Sequence, residues 1–315
     1  TGLVTVSKET VRRLAPVPEV KQLSKLKPSR FFLAIALDWA IIFACAFAAV
    51  ALGKWYFWVF AAVVIATRQH ALAILMHDAA HFRIVTDKRT NDIISNWLLA
   101  YPIAITTEGY RKNHLAHHYY LNSDQDPDFT RKVGPDWAFP RTRWQNIWMF
   151  VRVGLGEGAI HMGTLITRFD NKSAKEKSKS NRDKWPYYIA LLVGISALQW
   201  WIPFLLLWVL PLFTLLPMLL RLRSIAEHFG LEGEHDLNMS RTVDANFWER
   251  LFIGPHNVHY HLEHHLYPSV PFYSLGELRR VLRKDPYYRQ NHHQTSNYFG
   301  DDSVLAEITA QTIDE

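Results

Sequence analysis

Residues 256–268 read HNVHYHLEHHLYP, and these thirteen residues carry five histidines and one glutamate. Within the stretch, HLEHH (261–265) places histidines at positions i, i+3 and i+4, which share one face of a helix. Neither a hydrophobic core nor an ordinary surface favours so many imidazoles together. Imidazole is, however, a good ligand for zinc, copper, iron and nickel. The stretch therefore predicts a helix that presents metal ligands in one direction.

Two further histidine motifs precede this one. The first motif, HDAAH, covers residues 77–81, and the second motif, HLAHH, covers residues 114–118 with the same spacing as HLEHH. The three motifs supply eight histidines, which are too many for one ion with about four ligands and natural for two ions. The zinc-protease signature HExxH does not occur in the sequence. A carboxylate-bridged di-iron bundle would repeat ExxH, and its one occurrence, Glu232 to His235, stands alone. We therefore expect an all-histidine site for two metals.

Long apolar runs predict that the chain crosses a membrane. The runs at 31–52 and 55–76 are each long enough to span a bilayer as a helix. A later apolar segment has Pro203 near its middle, and we predict two helices there, at 187–202 and 204–221. The sequence thus favours an all-α integral membrane protein with about four transmembrane helices.

The distribution of Lys and Arg predicts the orientation of these helices. Seven of the 35 lie in the first 30 residues, seventeen in residues 82–186 and nine in residues 221–315, whereas the first hairpin has Lys54 alone. Because cytosolic loops are enriched in these residues, we predict that both termini and all three motifs are cytosolic. A cleavable signal peptide is not expected, since the first apolar run is long and follows about thirty polar residues.

We interpret residues 1–315 as a single domain. Its cytosolic cap is expected to come from residues 77–186 and 222–290, followed by a polar tail at 291–315. The single cysteine, Cys45, excludes an intrachain disulfide and a cysteine-ligated iron–sulfur cluster. The net charge of +6 suits anionic membrane headgroups better than nucleic acid.

In order and spacing, the three motifs resemble the histidine boxes of the membrane fatty acid desaturase and hydroxylase superfamily, and the resemblance covers about residues 60–290. RSIAEHFG (223–230) is similar to the segment that supplies a further ligand in that family. The sequence around the third motif is similar to that of bacterial acyl lipid desaturases, which implies that the protein lies in a bacterial inner membrane. The resemblance also implies a helical cap that holds two irons. The implied ligands are His77, His81, His114, His117, His118, His228, His261, His264 and His265.

Further side chains lie close to these ligands in the sequence. Ligating histidines commonly donate their second ring N–H to a carboxylate or carbonyl. NSDQDPDF (122–129) resembles the acidic stretch that follows the second box. His70 lies seven residues before His77, and we regard it as a candidate for lining a substrate channel. The candidates for holding a ligating ring are Asp78, Asp126, Asp128, Glu227, Glu263 and His259.

The resemblance implies O2-dependent oxidation of an unactivated C–H bond in a hydrophobic substrate, and it favours desaturation of a fatty acyl chain. A hydroxylase or ketolase that acts on an acyl chain, alkane or carotenoid is the alternative. A non-catalytic, histidine-rich metal-binding membrane protein is a third hypothesis. The sequence has no flavin or nicotinamide fingerprint and no haem module. Electrons are therefore expected from a separate protein of the ferredoxin, rubredoxin or cytochrome b5 type.

Overall fold

The chain divides into two compact, mostly helical units, and the interpretation as a single domain stays a prediction. This computed structural model describes residues 14–169, 174–231 and 237–310. We call the first unit the histidine unit; it comprises residues 1–27, 112–150 and 221–315. We call the second the membrane-helix unit; it comprises residues 28–111 and 151–220. Glu232 and His235 lie outside the described residues, as does the beginning of the N-terminal segment that we predicted to be cytosolic.

The membrane-helix unit contains the long apolar helices. Its α-helices are Pro28–Leu52, Trp55–Ala80, Lys88–Ser95, Gly158–Phe169, Ala174–Ala197, Trp201–Phe204 and Leu210–Phe213. Three π-helical turns interrupt or join them, at Asn96–Ala100, Val153–Glu157 and Leu205–Val209, and a 3-10 turn lies at Tyr101–Ile103. Helices Thr107–Tyr120 and Leu215–His228 begin in this unit and end in the histidine unit.

Three helical segments among the described residues are long and apolar enough to cross a membrane: Pro28–Leu52, Trp55–Ala80 and Trp201–His228. The first two form a hairpin, because Gly53 adopts a left-handed φ of 62° that ends the first helix. Inside it, Arg68 Nη1 lies 3.1 Å from Asp38 Oδ1, and both side chains are buried. An ion pair of this kind lowers the cost of placing charges within a span.

Two helices occupy the later apolar segment, as predicted, but the break between them lies a few residues before Pro203. The preceding helix ends at Ala197, and the turn contains Gln199 with a left-handed φ of 54°. Pro203 instead lies in the first turn of the next helix, where its missing N–H costs little. The segment 187–202 is not among the three candidate spans, so a fourth span stays a prediction.

The histidine unit is built from short helices and one small parallel sheet. Its α-helices are Val17–Leu23, Arg143–Arg152, Phe247–Phe252, His261–Leu266, Leu275–Leu282, Pro286–Asn291 and Val304–Glu307. Its 3-10 turns are Pro135–Trp137, Pro255–Asn257 and Phe272–Ser274. The sheet pairs strand Thr242–Val243 with strand Gln294–Thr295. Because these helices are too short to be stable alone, their order depends on tertiary contacts.

The C-terminal segment is part of this fold, and the predicted polar tail at 291–315 is wrong for residues 291–310. Val304 and Ile308 are fully buried and pack in a core with Ile225 and Phe229. The Glu307 side chain accepts hydrogen bonds from Arg241 and from His293 Nε2, the latter at 3.0 Å. The sequence misled us here because the apolar positions are few and isolated, so they leave no periodic pattern.

We expect this C-terminal contact to weaken in acid. Burial alone raises the pKa of Glu307, but the hydrogen bond from His293 and the charge of Arg241 outweigh it, so its pKa lies below the ordinary 4.5. A carboxylate with a lowered pKa stabilises the fold above about pH 4.5, and this stability is lost as the pH falls through the folded-state pKa. Thermal unfolding of wild type and Glu307→Gln between about pH 3 and 7 tests this. The stability difference should shrink at the acidic end, and a difference independent of pH would contradict the expectation.

Candidate metal centre

Seven of the nine implied ligands lie in the histidine unit, on three helices. His114, His117 and His118 come from the second-motif helix, Thr107–Tyr120. His228 is the last residue of the His228 helix, Leu215–His228. The third-motif helix, His261–Leu266, provides the remaining three: His261, His264 and His265. Within the histidine unit, the i, i+3, i+4 spacing brings the rings of the second and third motifs together, as predicted.

These seven histidines form two clusters. Cluster one contains His114, His118 and His264, and cluster two contains His117, His228, His261 and His265; within each, ligand nitrogens lie within 4.8 Å of one another. In cluster one, His118 Nε2 lies 3.0 Å from His114 Nε2 and 3.1 Å from His264 Nε2. Adjacent residues His264 and His265 therefore serve different clusters, as do His117 and His118.

In cluster two, the surroundings determine which nitrogen carries the proton. His117 Nδ1 lies 2.8 Å from Asp126 Oδ2, and His228 Nδ1 lies 3.3 Å from the Met239 carbonyl. Both partners are acceptors, so each Nδ1 is the donor and each Nε2 keeps its lone pair. These two Nε2 atoms nevertheless lie only 3.2 Å apart. Facing lone pairs repel each other unless a cation lies among them, so the arrangement fits a bound metal ion.

The His261 ring of the third-motif helix is oriented in the same way, with Nε2 towards the cluster and Nδ1 towards an acceptor. His261 Nε2 is 2.9 Å from His228 Nε2 and 3.0 Å from His265 Nε2, while its Nδ1 lies 3.3 Å from Glu227 Oε1. Burial, together with the neighbouring rings, holds the pKa of His265 well below its ordinary value. A neutral imidazole is the form that binds a metal.

Asp126 is held in place so that its carboxylate accepts the hydrogen bond from His117 Nδ1. It is fully buried, and its carboxylate accepts backbone N–H groups from Asn122 at 3.0 Å and from Asp128 at 2.8 Å. Asp128 itself pairs with Arg131 and Lys132. Burial opposes its ionisation, but these two cations prevail and keep the pKa of Asp128 below its usual range. The acidic stretch after the second motif thus forms a tight turn around one carboxylate.

Replacement of Asp126 by asparagine should weaken metal binding by about 10- to 100-fold, the usual effect of losing such an outer hydrogen-bond partner. The amide keeps the size of the side chain but presents either a weaker acceptor or a competing donor to His117 Nδ1. Metal affinity can be measured by competition with a chelator. Asp124→Asn, in the same loop, is the matched control, and equal affinity of the two variants would contradict the expectation.

The other candidates for holding a ring differ in their contacts. Glu263 bonds to Thr242, Tyr288 and Arg279 instead of to a histidine ring, because it leaves the helix on the side away from the ligands. His259 is buried with its Nδ1 3.2 Å from the Gly254 carbonyl, and burial lowers its pKa to about 4. That contact ties the chain just before the third-motif helix.

The membrane-helix unit carries the first motif. His77 lies in the last turn of the first-motif helix, Trp55–Ala80, and His81 follows as its C-cap. Their rings are 5.5 Å apart, centre to centre. Burial, followed by the charges of Arg83 and Arg111, lowers the pKa of His81 to about 3, so this ring is also neutral. Asp78 and His70 are buried on the same helix. Whether Asp78 holds a ring and whether His70 lines a channel stay predictions.

Sequence reasoning missed several groups around the clusters. The Met239 carbonyl left no signal, because any residue provides one. Arg241 is fully buried beside the end of the His228 helix. It stands in a short polar segment, SRTVD (240–244), that resembles an ordinary loop. A lone arginine in such a segment has no feature that predicts burial.

The fold and these clusters agree with a comparison against protein families. Residues 53–297 match the fatty acid desaturase family, which is more than half of the chain. The chain therefore belongs to that family and is a di-iron membrane enzyme of the desaturase type. The non-catalytic interpretation is thereby wrong. Family membership also implies a lipid substrate.

The individual relatives are named for different reactions, either desaturation or ketone formation. The chain is 31% identical over 282 residues to dihydrorhizobitoxine desaturase of Bradyrhizobium elkanii, covering 85% of this chain and 80% of that protein. It is 24% identical over 291 residues to a chloroplastic omega-3 fatty acid desaturase of Glycine max, covering 84% of this chain and 63% of that protein. It is also 26% identical over 216 residues to a beta-carotene ketolase of Paracoccus sp., covering 66% of this chain and 73% of that protein.

Proposed function

We propose that this protein uses two iron ions and O2 to introduce a double bond into a fatty acyl chain. The observation that carries the proposal is the convergence of metal-binding ring nitrogens in two clusters. The relatives named as desaturases align over 81–85% of the chain, whereas the two ketolases align over 66–67%. This difference favours desaturation over oxygen insertion.

We further propose that His77 and His81 are also metal ligands, as the resemblance of the first motif implies. His77 packs against Tyr110 with ring centres 6.2 Å apart, and Tyr110 precedes His114 by one turn of the second-motif helix. The order of the three motifs along the chain matches the family pattern.

In this reaction, neighbouring side chains and carbonyls of the protein keep the ligand rings neutral and oriented, and burial limits their contact with water. Asp126 holds the proton on His117 Nδ1, and the Met239 carbonyl does the same for His228, so both Nε2 atoms face inward. Bound iron supplies the oxidising power by reducing O2. The acyl chain gives two hydrogen atoms, an external donor gives two electrons, solution gives two protons, and O2 leaves as two waters. Burial of the rings limits access of bulk water to the oxidant.

Mass spectrometry of lipids from cells that express the protein tests the desaturation. A product lighter by about 2 Da, absent with His264→Ala, is expected. A product heavier by about 16 Da would establish the hydroxylase alternative, which the ketolase relatives support. His161→Ala, on helix Gly158–Phe169 outside both clusters, is the matched control and should retain product. Purified protein with two irons but no product from any acyl lipid or carotenoid supplied with a donor would contradict the proposal.

We also propose that the protein lies in a bacterial inner membrane and that its electron donor is an acidic protein. This donor docks on the basic cytosolic surface of the enzyme. The net charge of +6 and the Lys- and Arg-rich segments between spans support this. Attraction between exposed charges is screened by salt over about 8–10 Å at physiological ionic strength. Turnover with a ferredoxin should therefore fall steeply between about 50 and 500 mM salt. Turnover driven by a small neutral reductant is the control, and equal salt sensitivity of the two would count against docking.

A further inference from the structure

The third-motif helix contributes ligands to both clusters, although it has only six residues. His264 belongs to cluster one, and His261 and His265 belong to cluster two. A helix of one and a half turns has little stability of its own. Whatever fixes this helix therefore fixes ligands of both metal ions at once.

Glu263 provides a buried anchor on the opposite side of this helix. At about 100° per residue, its side chain points roughly 150° away from the mean direction of the three ligands. The side chain is fully buried. Its Oε2 accepts a hydrogen bond from Thr242 Oγ1 at 2.6 Å, and its Oε1 accepts one from Tyr288 OH at 2.8 Å. Arg279 Nη1 lies 3.5 Å from the same Oε1.

The partners of Glu263 are themselves fixed. Thr242 belongs to the parallel sheet, and Tyr288 lies on helix Pro286–Asn291; both are fully buried. Arg279, on helix Leu275–Leu282, also donates to Asp244 Oδ2 at 2.9 Å and to Gln294 Oε1 at 2.7 Å. One carboxylate thus joins the ligand-bearing helix to three separate elements. A buried charge with matched partners is costly to rearrange, so it favours one register of the helix.

We propose that Glu263 is a positioning residue that holds the ligands of both metal ions through the third-motif helix. Its hydrogen bonds go to Thr242, Tyr288 and Arg279 and not to a histidine ring. The inference rests on the proposed two-iron centre. It predicts that weakening this anchor loosens both ions together, whereas weakening a contact to His228 alone loosens only the ion of cluster two.

The test compares Glu263→Gln and Tyr288→Phe with Glu249→Gln in purified iron-loaded protein. Glu249 is the matched control, because it is a buried carboxylate of the same unit that caps helix Phe247–Phe252 and accepts from Tyr298 N–H at 2.9 Å. The readouts are the rate of iron release to a chelator, iron coordination by X-ray absorption, and the thermal midpoint. We expect Glu263→Gln to release both irons about 10-fold faster or more. Tyr288→Phe should show a smaller change in the same direction, and Glu249→Gln should lower the midpoint at wild-type release rates.

Release rates within twofold of wild type in both Glu263→Gln and Tyr288→Phe would overturn the positioning role. So would equally fast release from Glu249→Gln at the same loss of thermal stability, because the effect would then be general. If Glu263→Gln does not fold, the Tyr288→Phe variant tests the positioning role, since it removes one hydroxyl and keeps the ring. Wild-type protein that fails to hold two irons would instead defeat the proposed centre, so the two failures are distinguishable.

Discussion

Alanine at either His264 or His265 is expected to lower turnover by more than about 100-fold, although the two residues are neighbours in the sequence. Losing an outer hydrogen-bond partner of a ligand already costs about 10- to 100-fold, so losing the ligand should cost more. Replacing His264 removes a nitrogen from cluster one, and replacing His265 removes a nitrogen from cluster two. The proposed oxidation uses both ions, so we expect the two variants to fail alike.

The two variants should nevertheless differ in what they retain. Each is expected to lose the ion of its own cluster first when titrated with a chelator, and X-ray absorption should show which imidazole coordination has decreased. Their thermal midpoints in the metal-free state should stay near wild type, since removal of facing lone pairs relieves repulsion. Turnover above about a tenth of wild type in either variant would contradict the assignment of that histidine.

The clustering of the motif histidines could be predicted from the sequence because their spacing is a local property. HLAHH and HLEHH need only a helical backbone to direct their rings to one side. His228 needed the resemblance of RSIAEHFG as well, because a lone histidine carries no spacing signal. Which rings share an ion could not be predicted, since His117 and His118 are adjacent yet belong to different clusters. That division depends on how three helices pack.

The role of Glu263 shows a second limit of sequence reasoning. Its position beside two ligands suggested a partner for a ring, but its direction around the helix carries it to Thr242 and Tyr288. Tyr288 lies 25 residues away in the sequence, so no helical spacing links it to Glu263. The same holds for Glu307, which we placed in a tail. Contacts between distant elements determine these roles, and no local pattern records them.

Replacement of Arg241 by methionine is expected to destabilise the protein by about 2–6 kcal/mol, because it leaves two buried carbonyls without a donor at about 1–3 kcal/mol each. Its guanidinium is fully buried and donates to the carbonyls of Ala226 at 2.7 Å and Phe229 at 3.0 Å. Carbonyls at the end of a helix lack intrahelical partners, so methionine would leave them unsatisfied. Glu307, whose Oε2 lies 2.5 Å from Arg241 Nη2, would also lose one of its partners and keep His293.

Because these carbonyls flank His228, the same substitution should disturb cluster two and spare cluster one. Unfolding of purified protein in detergent, monitored with and without bound iron, measures the stability. Arg280→Met is the matched control, since Arg280 is 74% exposed and pairs with Glu277 at the surface, where such a pair contributes at most about 1 kcal/mol. A loss of stability no larger than that of the control would show that Arg241 does not secure the end of the His228 helix. A large loss with faster release of one iron, at unchanged release of the other, would show that it secures both the helix and its ligand.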